Sequence, residues 1–155
     1  MISMEPKSTT EPACQVVDSR FLRELLGYNT RRATLKIFDI FHEKTAAFAI
    51  NPIEFSVLHL IGRNPNISPS QLGVELALLP PNLTKILQKL SRKHLIQKYR
   101  PVTDKRAIYL KLSERGQEHL LALEKIITKL ERDAASRLTD KQLAMLIELL
   151  HRIYK

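Results

Sequence analysis

Nine cationic side chains lie close together in one stretch of this 155-residue chain, and cations at that density are typical of a polyanion-binding element. Residues 80–111 contain nine Lys and Arg residues but a single acid, Asp104, and so hold +8 of the chain's net +9. Residues 1–79 carry a net charge of 0 and residues 112–155 one of +1. A solvated basic face without a partner is the alternative, and charge alone leaves both interpretations open.

The first part of this stretch has the pattern of an amphipathic helix. Two prolines, which suit the first helical positions, open a pattern that runs over about residues 80–93. Leu83, Leu87 and Leu90 share the face that would be buried. The opposite face carries polar and cationic residues, namely Asn82, Thr84, Lys85, Gln88, Lys89 and Arg92. Such a helix fits the major groove of DNA, where amides bond to base edges and cations neutralise phosphates.

The second part of the stretch predicts a β-hairpin. Residues 96–100 and 107–112 alternate as short strands around the charged connection 101–106, whose exposed tip is basic. An Arg at such a tip can enter a minor groove where that groove is narrow. Helix and hairpin together therefore predict duplex DNA as a partner. The predicted contact residues are Ser70, Pro81, Asn82, Thr84, Lys85, Gln88, Lys89, Arg92, Lys98, Arg100, Asp104, Lys105 and Arg106.

Helix-start signals divide the rest of the chain. Residues 19–48 form a long helical pattern that is apolar on more than one side, so this helix needs more than one partner. Capping boxes begin at Asn51, Ser68 and Thr139, and Ser113 caps a further helix. The predicted fold is mostly α, of the α+β class, with the order α-α-α-α-β-β-α-α.

Asp104-Lys105-Arg106, followed after five residues by Leu112-Ser113-Glu114-Arg115-Gly116, matches the pattern D-x-R, five residues, L-T-x-x-G. By this motif and the order of its elements, the chain resembles the MarR family of bacterial winged-helix transcription regulators over about residues 20–153. One departure is His94, where members usually carry a Gly just after the recognition helix. A left-handed residue there favours Gly or Asn, so we expect a different helix end.

The resemblance implies a homodimer that binds a pseudo-palindrome, with half-sites about one helical turn apart. Residues 1–18 are then a flexible tail before a single unit, residues 19–155. Within that unit the dimerisation helices occupy residues 19–50 and 114–155. The winged helix-turn-helix occupies 51–113, with a recognition helix at about 80–93 and a wing at about 96–112. Arg106 is implied to enter the minor groove and Asp104 to orient the wing, although Asp104 can also be an ordinary turn residue. Members of this family usually repress transcription, so the resemblance implies a repressor.

Such regulators usually release DNA when they bind a small aromatic acid, a phenol or a thioester of such an acid. The candidate effector residues are Tyr28, Arg31, Arg32, Leu35, Phe38, His42 and His59. Arg can clamp a carboxylate in bidentate fashion while aromatic side chains enclose a ring. Alternatively, Arg31 and Arg32 form dimer salt bridges with acids such as Glu24, and His42 is an interface residue.

Other functions lack the residues they require. No Gly-rich phosphate loop or recognised nucleophile motif is present, so we expect neither an enzyme nor a cofactor. The five histidines are dispersed, which disfavours a metal site. The sequence has no apolar run of membrane-spanning length and no apolar signal core at its start. We therefore expect a cytoplasmic chain, associated with the bacterial nucleoid when bound to DNA. An accessory DNA-binding protein without an effector and a thiol redox regulator acting through Cys14 remain alternatives.

Overall fold

A computed structural model describes residues 17–101 and 107–155. These residues form seven α-helices, one 3₁₀ turn and a two-stranded antiparallel sheet, and the order confirms the mostly α winged-helix fold. The bounds are α1 Arg20–Glu24, α2 Leu26–Thr45, the 3₁₀ turn Ala46–Phe48, α3 Pro52–Arg63, α4 Pro69–Glu75, α5 Pro80–Arg92, β1 Ile96–Tyr99, β2 Tyr109–Leu112, α6 Glu114–Ala134 and α7 Asp140–Tyr154.

Two compact units divide the chain within α2, one up to Ala33 and one from Thr34 to Lys155. In the first unit the predicted continuous helix from residue 19 is wrong, because the backbone at Leu25 is extended (φ −84°, ψ 129°). The side-chain amide of Asn29 donates to the carbonyls of Arg23 and Leu25, each at 2.8 Å. The bond to Arg23 crosses the break and satisfies a carbonyl of α1 that the interruption leaves without a backbone partner, which stabilises the break. The Leu25 carbonyl also accepts the backbone N–H of Asn29, at 3.1 Å.

The predicted capping boxes are confirmed. Asn51 accepts the Glu54 N–H at 2.8 Å, and the boxes that begin at Ser68 and Thr139 are closed in the same way by glutamines three residues later. Leu79, at the N-cap position of α5, makes no side-chain cap because its side chain has no hydrogen-bond acceptor.

The hydrophobic core lies in the second unit, between α3, α5, α6 and the sheet. Its fully buried members include Val57 and Leu58 of α3, Leu90 of α5, Leu110 of β2 and Leu123 of α6. A bridge pairs Ile67 with Leu110, whose N–H donates to the Ile67 carbonyl at 3.0 Å. The sequence did not predict this pairing, because a single bridging residue shows no alternation.

The two strands pair from Ile96 with Leu112 to Tyr99 with Tyr109. Ile96 and Leu110 face the core, whereas Gln97 and Lys111 point to solvent, as the predicted alternation requires. The hairpin is thus confirmed. Its tip, which includes the predicted Asp104, Lys105 and Arg106, lies outside the described residues.

The end of α5 corrects one expectation. His94 adopts the left-handed conformation itself (φ 57°), so the prediction of a different helix end is wrong. The His94 N–H donates to Ser91 and the Leu95 N–H to Leu90, at 2.9 and 3.0 Å, which is the Schellman pattern. The Ser113 hydroxyl also donates to the His94 carbonyl at 2.6 Å. These bonds, with both leucines buried, outweigh the steric cost of a Cβ in this conformation.

Helix α7 has no buried residue, although it is rich in leucine and isoleucine. Its exposed apolar side chains are Met145, Leu146, Ile147, Leu149, Ile153 and Tyr154. Within the described residues no single helix is long and apolar enough to cross a membrane. The segments Leu26–Phe48 and Pro52–Arg63 reach that length and composition only together, with a bend of 66° between them.

Candidate nucleic-acid interface

Helix α5 presents a polar face to solvent because three leucines hold its other face in the core. Leu83, Leu87 and Leu90 are buried at spacings of four and three residues. The structure brings the predicted contact residues of this helix together on its exposed side. These are Pro81, Asn82, Thr84, Lys85, Gln88, Lys89 and Arg92.

The first turn of α5 is apolar rather than anion-binding. Pro80 and Pro81 have no N–H, so two donors that a helix start usually offers to a phosphate are missing here. Leu79, which precedes them, is 70% exposed. Leu79 is not among the contact residues that the sequence predicts. This turn can therefore contact the apolar edge of a base, such as the thymine methyl group.

The cations of α5 fall into two groups. Lys89 Nζ lies 2.6 Å from Glu54 Oε1, and Lys93 Nζ donates to the Ala49 carbonyl. Lys85 and Arg92 form no ion pair with the other described residues. Lys89 and Lys93 therefore both have partners within the chain. The sequence identifies Glu54 as part of a capping box, but it does not show that the carboxylate of this residue is buried and could bind a lysine of α5.

The remaining predicted contacts lie on neighbouring elements. Ser70 is exposed in the first turn of α4, and Lys98 and Arg100 are exposed on and just after β1. The hairpin also carries a group that the sequence analysis did not assign. The rings of Tyr99 and Tyr109 lie 5.9 Å apart, with Lys111 Nζ 5.7 Å from the centre of the Tyr99 ring. The sequence shows Tyr99 and Tyr109 within the two predicted strands. It does not show the register that brings the two rings together.

The L-S-x-x-G segment fastens α6 to the end of α5. Ser113 Oγ accepts the Gly116 N–H at 3.0 Å and donates to His94, so one hydroxyl joins two helix ends. A Cβ built on Gly116 would lie 2.0 Å from the Leu95 carbonyl oxygen. Glycine is therefore required for this approach, and Ser replaces the motif's Thr with no loss of the cap.

Comparison with known proteins agrees with this geometry. The family model described as "MarR family" matches residues 50–108, which run from the start of α3 to the residue before β2. The transcriptional repressor CouR, bound to a 23-mer DNA duplex, is 29% identical. It superposes with a TM-score of 0.85 over 91% of this chain and 100% of that chain. The chain is thus similar to proteins of the MarR family.

Further MarR-family relatives agree. CouR bound to p-coumaroyl-CoA is 28% identical, with a TM-score of 0.82 over 90% of this chain and 99% of that chain. A protein described as a regulator of the hcr operon in Thauera aromatica is 29% identical over 131 residues, 84% of this chain and 79% of the relative. The homoprotocatechuate degradative operon repressor of Escherichia coli is 24% identical, over 63% of this chain and 66% of the relative. These proteins are described as transcriptional regulators or repressors, and this chain is similar to them over most of its length.

The candidate effector residues lie in both units. The first unit holds Tyr28, which is half-buried, and the exposed Arg31 and Arg32. The second holds Leu35, Phe38 and His42, all exposed on α2, and His59 on α3. The effector assignment stays a prediction. Cys14, the basis of the redox alternative, lies outside the described residues.

His59 is the one of these residues that lines a described cavity. Its Nδ1 lies 3.0 Å from Glu124 Oε1, and Arg63 approaches the same carboxylate at 2.8 Å. The cavity has a volume of about 360 Å³ and is walled by Phe55, His59, Arg63, Glu124, Ile127 and Thr128. Among the described residues no group of three or more His, Cys, Asp or Glu could hold a metal ion.

Proposed function

We propose that this chain is a MarR-family regulator that binds a pseudo-palindromic operator as a homodimer, represses transcription there, and is released by a small aromatic acid, a phenol or a thioester of such an acid. The observation that carries the proposal is the exposed polar face of α5, which is fixed by buried leucines beside a basic hairpin. The cytoplasm, at the nucleoid, is the proposed location.

Each part of the interface suits a different feature of the duplex. Asn82 and Gln88 have the amides that bond to adenine edges in the major groove, while Lys85 and Arg92 suit phosphates. Pro81 and the exposed Leu79 suit thymine methyl groups. On the hairpin we assign Arg106 to the minor groove, with Asp104 as its support and with Lys98, Arg100 and Lys105 beside the backbone. Ser70 and Thr84 would add contacts to phosphate oxygens.

The dimer proposal is supported by α7. A 15-residue helix that buries none of its residues, yet exposes six large apolar side chains, needs a partner surface. Exposed apolar residues of α1 and the start of α2, namely Phe21, Leu22, Leu25 and Leu26, supply a second such surface. A second copy of the chain is the partner that a palindromic operator requires.

The effector proposal is supported by the relatives and by the cavity beside His59. CouR binds p-coumaroyl-CoA, an aryl thioester, and the E. coli relative represses an operon for the degradation of homoprotocatechuate, a phenolic acid. The cavity of about 360 Å³ has an aromatic wall, Phe55, which suits an aryl ring. Its cation, Arg63, is paired with Glu124 at 2.8 Å and would exchange this partner for the carboxyl group of the effector. We assign Tyr28, Arg31, Arg32, Leu35, Phe38 and His42 to the same effector response.

Selection from a random pool of duplexes tests the proposal. We expect the purified chain to enrich an inverted repeat with half-sites about 10 base pairs apart, bound as a dimer in size-exclusion chromatography. A panel of aryl acids, phenols and 4-hydroxycinnamoyl thioester should release the selected duplex in an anisotropy assay and raise the melting temperature of the protein. The Arg106→Ala variant should bind the duplex about tenfold more weakly while remaining dimeric.

Three results would contradict separate parts of this proposal. Enrichment of no inverted repeat would exclude the operator-binding dimer. Unchanged affinity of Arg106→Ala at physiological salt would exclude the wing contact. No stabilisation and no release by any compound of the panel would favour an accessory DNA-binding protein without an effector.

A further inference from the structure

Lys89 of α5 and Lys93, the C-cap residue of this helix, bond to the first turn of α3 and to the connection that precedes it. Lys89 Nζ lies 2.6 Å from Glu54 Oε1, and one turn later Lys93 Nζ donates to the carbonyl of Ala49. Because the lysines are four residues apart, they lie on one flank of α5. We call Lys89, Lys93 and their partners Glu54 and Ala49 the lysine clamp.

The carboxylate in this clamp is buried and fully engaged. The side chain of Glu54 is 3% exposed, against 45% for Lys89. Its Oε1 is occupied by Lys89, and its Oε2 accepts the Asn51 N–H at 3.2 Å. A buried carboxylate that loses its cation is strongly destabilised, so Lys89 cannot turn to a phosphate without leaving an unpaired charge inside the protein.

The clamp also reaches the connection from α2. Ala49 follows directly after the 3₁₀ turn that extends α2 and has a left-handed backbone (φ 49°). Asn51, which shares Glu54 with Lys89, is the N-cap of α3. The flank of α5 therefore contacts both the end of the α2 segment and the first turn of α3.

We propose that Glu54 and Lys89 are positioning residues for operator recognition: they set the placement of α5 against α3, and Lys89 makes no phosphate contact. This inference rests on the proposed recognition of operator DNA by α5. It changes the predicted role of Lys89, which sequence analysis counted among the DNA contacts. Base-edge contacts depend on placement within fractions of an ångström, whereas non-specific binding depends on charge. The clamp should therefore control specificity rather than overall affinity.

The test compares affinity for the duplex that the wild-type chain selects with affinity for a random duplex of equal length. Lys89→Met keeps the aliphatic stem but leaves Glu54 unpaired. We expect it to lower operator affinity about tenfold more than random-duplex affinity, which falls only by the effect of the lost charge. Glu54→Gln should also lower the ratio of the two affinities, although it adds a net positive charge next to α5. The double variant Glu54→Gln/Lys89→Met, which removes the charge from both partners, should recover part of the ratio.

Lys85→Met is the matched control, because Lys85 lies on the same helix, is exposed and has no ion pair with the described residues. It should weaken binding to both duplexes and lower the salt dependence. If Lys85→Met changes neither affinity, the proposed role of α5 in binding DNA has failed, which is a separate result from failure of the clamp.

The clamp is overturned if Lys89→Met weakens both duplexes equally, as Lys85→Met does, or if Glu54→Gln strengthens operator binding. A general loss of folded protein also lowers both affinities together and leaves their ratio unchanged, so it cannot imitate the expected result. Should Lys89→Met fail to fold, the double variant decides. An operator-to-random ratio equal to the wild-type ratio, together with a lower salt slope, would assign Lys89 to a phosphate.

Discussion

Because Gly116 has a hydrogen atom in place of a methyl group, α6 can pack closely against the end of α5. A Cβ at this position would lie 2.0 Å from the Leu95 carbonyl oxygen and 2.9 Å from the Leu95 carbonyl carbon, and both atoms are backbone. The same carbonyl accepts the Ser113 N–H at 3.1 Å, so it is not free to move away. We expect Gly116→Ala to lower the free energy of unfolding by about 3 kcal/mol, measured by urea denaturation.

Gly27→Ala is the matched control for this prediction. Gly27 also lies in the first turn of a helix, but nothing lies within 4 Å of a Cβ built there. Alanine has the higher helix propensity, so we expect no loss and up to about 1 kcal/mol of added stability. Equal effects of the two substitutions would show that the clash at Leu95 is relieved at little cost.

At the scale of elements, helix boundaries could be predicted where nearby side chains cap the helix. The boxes at Asn51, Ser68 and Thr139 are local, since cap and partner lie three residues apart. The break at Leu25 was missed because the residues around it continue a helical pattern, and only the bonds from Asn29 reveal it. A local pattern predicts local hydrogen bonds, but not where competing bonds end an element.

The same limit applies to the candidate site. The exposed face of α5 followed from leucine spacing, whereas the capture of Lys89 by Glu54 joins residues 35 positions apart. His94 illustrates a third case. Its residue type argued against the left-handed conformation, and contacts with distant residues such as Ser113 overrode that preference. Tertiary contacts that no local pattern contains account for the ion pair of Lys89, and one such contact, from Ser113, supports the conformation of His94.

The end of α5 gives a prediction at this scale. His94 holds φ 57°, where a Cβ costs about 1–2 kcal/mol, and His94→Gly removes that cost. The greater freedom of glycine in the unfolded chain offsets part of the gain, so we expect a net stabilisation of about 0.5 kcal/mol in urea denaturation. His94→Ala retains the Cβ and should show no gain. A gain with Ala as large as that with Gly would mean that the imidazole ring, and not the backbone conformation, strains this helix end.

At the scale of the whole molecule, the net charge of +9 is a local quantity. Eight of its units lie in residues 80–111, and the structure further divides that segment. Lys89 and Lys93 have partners inside the chain, whereas Lys85, Arg92, Lys98 and Arg100 are exposed. In a two-fold dimer the last four would form two separate basic surfaces, each facing one half-site.

This division predicts the salt dependence of binding. If Lys85, Arg92, Lys98, Arg100 and Lys105 of each protomer neutralise phosphates, as proposed above, the dimer makes about ten such contacts. The logarithm of operator affinity should then fall with a slope of about −9 against the logarithm of salt concentration. Lys98→Ala removes one cation per protomer and should reduce that slope by about 1.8. Lys129→Ala removes an exposed cation of α6, outside the basic stretch, and should leave it unchanged. A wild-type slope near −2 would mean that the basic stretch is a solvated surface, because one or two contacts would then account for all the counterions released.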